Sequence, residues 1–152
     1  MRIILLAVLI SFFFATPARA EEDEYAVKRE KAEKHTQKII EACEAPSRED
    51  WDSGVTSRMR EGSYKKIECL TKEINSIAKT ILHPDEVKEF SEYVDKYTEN
   101  SYYIYNTIHN SNKSCTPCGT MYHVLYLGDV TEVLENLLKR MLLTAYFEDI
   151  LQ

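Results

Sequence analysis

The chain has 152 residues, 19 of them basic and 25 acidic, for a formal net charge of −6. That length suits one domain with a sizeable core. The acidic balance argues against nucleic acid as a partner, because phosphate binding needs clustered Lys and Arg. A cationic protein or metal ions suit it better, although negative charge also serves solubility alone.

The first twenty residues, "MRIILLAVLISFFFATPARA", read as a secretory signal peptide. Arg2 gives a positive start, Ile3 to Ala15 is apolar but short for a membrane span, and Ala18-Arg19-Ala20 is a small-x-small site. Cleavage at Ala20–Glu21 takes Arg2 and Arg19 away and moves the net charge from −6 to −8. The expected mature chain, residues 21–152, is a single domain with no stable membrane span. Its expected location is the periplasm or the medium.

Glycine and proline are scarce, strand-like alternation is absent, and helical periodicity recurs, so the mature chain reads as all-α. A first helix is expected over 24–43 with a thin apolar stripe: Val27, Ala32, His35, Ile39 and Ala42. That thinness makes 21–56 a peripheral helix and loop, with 57–152 as the bundle core. "EAPSREDWDSG" reads as the loop, and it contains Trp51. A tryptophan there either packs back on the domain or binds a partner.

A second helix is expected over 57–82. Ile67, Leu70, Ile74, Ile77 and Ile81 give it a core-facing 3-4 stripe. Pro84 ends it and opens a third helix, 84–110, with Asp85 and Glu86 at the positive end. Phe90, Tyr93, Tyr97, Ile104 and Ile108 form its expected inner stripe. Tyr102, Tyr103 and Tyr105 surround that face, as a core edge or as contact area for a partner. After the loop "HNSNKSCTPCGT", a short helical piece is expected from Met121 to Leu127. Asp129 then caps a last helix, with Glu132 completing the box and Val130, Leu134, Leu137, Met141 and Ala145 facing inward. Val133, Leu138 and Leu142 widen that face. The sum is an antiparallel bundle of three to four helices, stabilised by disulfides.

Cys43, Cys69, Cys115 and Cys118 are even in number, and in an exported protein two disulfides are the default. Pairing Cys69 with Cys115 requires the loop to fold back along a helix that carries Cys115 about 40 Å from the Pro84 corner. Cys43–Cys69 avoids that demand, but leaves Cys115–Cys118 as a tight bridge that removes little chain entropy. The balance leans to Cys43–Cys69 without deciding the matter.

The Cys-x-x-Cys spacing of "CTPC" also suits a redox dithiol, since a thiolate at a helix start becomes nucleophilic. The strand-to-helix setting usual for such motifs is missing. His109, Cys115, Cys118 and His123 have ligand chemistry for zinc, but not in a common zinc order. No G-x-S-x-G or H-E-x-x-H motif is present. The chain is therefore expected not to be an enzyme, and to need no cofactor or metal.

Three stretches resemble the LprI-type lysozyme-inhibitor domain family. "CLTKEINSIAKTIL" is similar to its first cysteine helix, with Glu73-Ile74-Asn75 at the L-N position. "SYYIYNTIHNSNKSC" is similar to its aromatic helix running to a cysteine. "CGTMYHVLYLGDVTEVLENLL" is similar to its glycine loop and final helix, with Val130-Thr131 at the L-T position. The resemblance implies an exported, non-enzymatic protein that occludes a cationic lysozyme. Trp51, Tyr102, Tyr103 and Tyr105 are its candidate contacts. The alternative is a periplasmic thiol–disulfide or metal-handling protein that uses the CTPC loop.

Overall fold

The computed structural model describes the backbone of residues 16–111 and 121–152, and the side chains of 23–101 and 124–152. Among these residues the chain is helical and contains no strand. Helix α1 is Thr16–Glu44, followed by a 3-10 turn at Ala45–Ser47 and a short α2 at Arg48–Asp52. Helices α3 (Thr56–Ile81), α4 (Pro84–Ser111) and α5 (Met121–Phe147) complete the bundle.

The α3 stripe is where the period places it: Ile67, Leu70, Ile74 and Ile77 are buried, and Ile81 packs against them. Leu82 leaves the helix in an extended conformation. His83 then opens α4. Its carbonyl accepts from the Glu86 amide at 2.9 Å, while its own N–H donates to Glu86 Oε2 at 3.2 Å. The Glu86 carboxylate thus makes one half of a capping box ahead of Pro84, while the His83 imidazole accepts from the Asp85 amide at 3.5 Å in place of the other half.

Several expectations need correction. The first helix is not peripheral: α1 packs against both α5 and α3. Its buried line is Ala32, Thr36 and Cys43, with Ile39 and Ile40 beside it, while Val27 and Ala42 face outward. Threonine hides in this face because the Thr36 hydroxyl donates to the Ala32 carbonyl at 2.7 Å. Tyr93 does not line the core. It is 69% exposed, and Val94 is the buried residue instead. Val133, taken as widening the α5 core face, is also exposed.

The last correction concerns Asp129, which caps nothing, because α5 runs unbroken from Met121. Val124, Leu127, Val130, Leu134, Leu138, Met141 and Ala145 are buried as one stripe. Burying that stripe outweighs the roughly 1 kcal/mol that Gly128 costs a helix interior.

Helices α1 and α5 run antiparallel. Tyr25 stacks on Phe147 with ring centroids 4.6 Å apart, and Glu33 meets Lys139 at 3.7 Å. Past Phe147 the chain closes with the Ile150 amide on the Ala145 carbonyl at 2.9 Å and Asp149 in the left-handed region. This is the Schellman arrangement, with Asp149 in the place glycine usually holds. Its carboxylate meets Lys28 at 2.7 Å.

A disulfide joins Cys43 at the end of α1 to Cys69 in the middle of α3, with Cα atoms 5.5 Å apart. No helix among the described residues is long and apolar enough to cross a membrane.

Candidate functional site

Trp51 does not lie in an irregular loop. It belongs to α2, one turn of helix laid across α3. Glu49 and Asp50 in the first turn favour that helix. Gly62 on α3 lets it come close. A Cβ there would stand 3.1 Å from Asp50 Cβ, from the Ser47 carbonyl oxygen and from Trp51 Cδ1. Gly54, with φ of +64°, turns the chain into α3.

Two charged clusters hold this corner. Asp50 is only 8% exposed and accepts from Arg58 Nε at 3.1 Å and from Lys65 Nζ at 2.8 Å. The Lys65 hydrogen bond, aided by Arg58, holds the Asp50 carboxyl below its usual range. On the other side, the Lys66 ammonium lies between Glu44 at the end of α1 and Glu135 on α5. Burial alone would push Lys66 down, but its bonds to Glu135 and Glu44 outweigh that and raise it.

Between α2, α3 and α5 lies a cleft of about 350 Å³, walled on one side by Trp51. Glu44, Glu132 and Glu135 supply carboxylates to it, and Arg48 and Lys66 supply the cations. Buried Ser47, Ser63 and Thr131 also line it, and the lining as a whole is more apolar than polar. Each of these hydroxyls donates to a nearby backbone carbonyl: Ser47 to Glu44 at 2.8 Å, Ser63 to Met59 at 3.0 Å, Thr131 to Leu127 at 2.7 Å. Their remaining lone pairs can only accept. Gly128 completes the wall, and a Cβ there would meet nothing within 4 Å.

Of the sequence-predicted contacts, Trp51 is therefore in a cleft. The side chains of Tyr102, Tyr103 and Tyr105 lie outside the described residues, as do Cys115, Cys118 and the imidazoles of His109 and His123. Among the described residues no cluster of His, Cys, Asp and Glu could hold a metal ion. Lys66, Glu132, Glu135 and Gly128 were not legible as site residues. On paper they are ordinary helix positions, and only the packing of α3 on α5 brings them to Trp51.

A second aromatic feature lies where α3, α4 and α5 meet. Tyr64 and Tyr126 line a shallow groove there with Thr98 and Glu99. Burial pushes the Tyr126 hydroxyl above its ordinary value, against a lowering hydrogen bond from Ser101.

Compared with known protein families, with curated proteins and with solved structures, the chain matches none.

Proposed function

We propose that the chain is an exported, non-enzymatic binding protein that covers a basic protein, a cationic lysozyme being the type of partner the sequence resemblance implies. The observation that carries this reading is the Trp51 cleft. The chain's one tryptophan lines a largely apolar hollow together with Glu44, Glu132 and Glu135, on a molecule of net charge −6. Buried aromatic anchors supply most of the energy of such contacts, and complementary charge supplies rate and specificity. The leader-like residues 1–20 and the Cys43–Cys69 bridge support export, since such bridges persist in oxidising compartments.

Calorimetric titration of the exported chain with a basic lysozyme, and with an acidic protein as control, tests it. Binding to the basic protein alone is expected, weakening at least about tenfold between roughly 50 and 300 mM salt. Failure to bind basic proteins at low salt sinks the reading.

One observation favours a second reading. The Cys43–Cys69 bridge uses two of the four cysteines and leaves Cys115 and Cys118 to one another or to a ligand. A thiol–disulfide or metal-handling protein would show a pair that glutathione buffer reduces readily, or bound zinc by mass spectrometry. A locked, metal-free pair removes this alternative.

A further inference from the structure

We infer that the cleft beside Gly128 is a socket for a guanidinium group, an arginine side chain of the partner. This rests on the reading of the chain as a binding protein for a basic protein, and it names the group that is recognised.

The argument starts from Gly128. A glycine inside a helix costs roughly 1 kcal/mol relative to alanine. A glycine can offset that by letting another element approach, as Gly62 does for α2. At Gly128 no atom of the chain approaches within 4 Å of where a Cβ would be. The space it leaves belongs to the cleft.

The chemistry of the cleft selects the occupant. Ser47, Ser63 and Thr131 spend their protons on backbone carbonyls, so none of the three has a proton left to donate to an occupant. Glu44 and Glu135 are engaged by Lys66, whereas Glu132 has no ion-pair partner among the described residues. Three carboxylates against Arg48 and Lys66 leave one negative charge in excess. A hollow whose lining is more apolar than polar, with an indole in its wall and a carboxylate that has no ion-pair partner among the described residues, suits a planar, weakly hydrated, multiply donating cation. Guanidinium stacks on an aromatic face and forks onto a carboxylate, and it is less strongly hydrated than an ammonium. Arg48, exposed and without an ion-pair partner among the described residues, opposes the incoming charge from the rim.

The test uses the full exported chain and the emission of Trp51, the only tryptophan. The probes are acetyl-arginine amide and its neutral isostere acetyl-citrulline amide, and each variant is also titrated with a basic lysozyme. Expected are a saturable emission change with the arginine probe and at least about tenfold weaker binding of the citrulline probe, the worth of one such charged contact. Gly128→Leu, which fills the space, and Glu132→Gln, a conservative change at an exposed position, should each weaken the arginine probe by about that factor. Arg48→Ala should strengthen it. Gly128→Leu should keep its helical circular dichroism, and Glu132→Gln decides the matter should Gly128→Leu fail to fold.

Equal response to the two probes overturns the inference, as does weaker binding in Arg48→Ala, which is the mark of an anion site. If wild type and both cleft variants bind lysozyme equally and no probe acts, the socket is wrong while the binding-protein reading stands. If the arginine probe behaves as expected and no basic protein binds, the socket stands and that reading falls.

Discussion

The Lys66 ammonium lies 2.7 Å from Glu135 Oε1 while also bonding Glu44, so one side chain ties α3 to both α5 and the end of α1. Its side chain is only 13% exposed, and both partners are partly covered. Replacing it with a residue of similar length leaves two carboxylates facing each other. Lys66→Met should lose about 1–3 kcal/mol in urea unfolding, less than a fully buried pair would lose because water reaches this one. A second change, Glu135→Gln, should return part of that loss by removing the repulsion. The Lys66 pKa is raised on folding, so its contribution is complete below the ordinary value of 10.5 and is lost as pH rises through the higher folded value.

Gly62→Ala tests how α2 is seated. Alanine is the better helix former by roughly 1 kcal/mol. Here, however, its Cβ would stand 3.1 Å from each of three atoms, one of them the backbone oxygen of Ser47. Asp50, another of the three neighbours, is pinned by Arg58 and Lys65 and has little room to retreat. Crowding should win, for a net loss of about 1–2 kcal/mol by thermal unfolding. Trp51 emission should shift in the folded state as α2 lifts. Unchanged emission with a raised melting point would show that the corner yields freely.

The Cys43–Cys69 bridge closes a segment of sequence separation 26 that includes the whole α2 corner. The chain-entropy estimate for a loop of that size is about 3–4 kcal/mol. The double variant Cys43→Ala with Cys69→Ala should be less stable by about that amount in denaturant, with retained helical circular dichroism below its transition. A loss well under about 1 kcal/mol would mean that packing already orders the corner in the unbridged chain.

The helices were legible in the sequence because burial and period agree in them. The 3-4 spacing from Ile67 to Ile81 and the His83–Pro84 break left little choice for α3 and the start of α4. Where local signals compete with packing, the sequence misleads. Pro46, Ser47 and Gly54 spell a loop, yet Gly62, far along the next helix, gives α2 a surface to lie on. Gly128 and Asp129 spell a break, yet the apolar residues on either side form one stripe. Val27 and Tyr93 sit at helical spacing and still face outward: Val27 lies beyond the buried part of its stripe, which begins at Ala32, and on α4 Val94, next to Tyr93, is the buried residue. The cleft is the least legible of all. Trp51 could be singled out from its type, but its companions on α3 and α5 depend on how two distant helices meet.

Acid should unseat the Trp51 corner before it unfolds the bundle. Asp50 accepts from Lys65 and Arg58, and its folded pKa is lowered from the ordinary 3.8, first by the Lys65 bond. A lowered carboxyl contributes stability that is present above pH 3.8 and is lost as pH falls through the lower folded value. Glu49 and Glu61 also pair with Arg58 and Lys65, but both are exposed, where such pairs are weak. Trp51 emission should therefore titrate below pH 3.8 while helical circular dichroism holds. In Asp50→Asn the emission should already resemble the acid form at neutral pH, with that titration gone. An emission titration that persists in Asp50→Asn would show that the acid response does not come from Asp50.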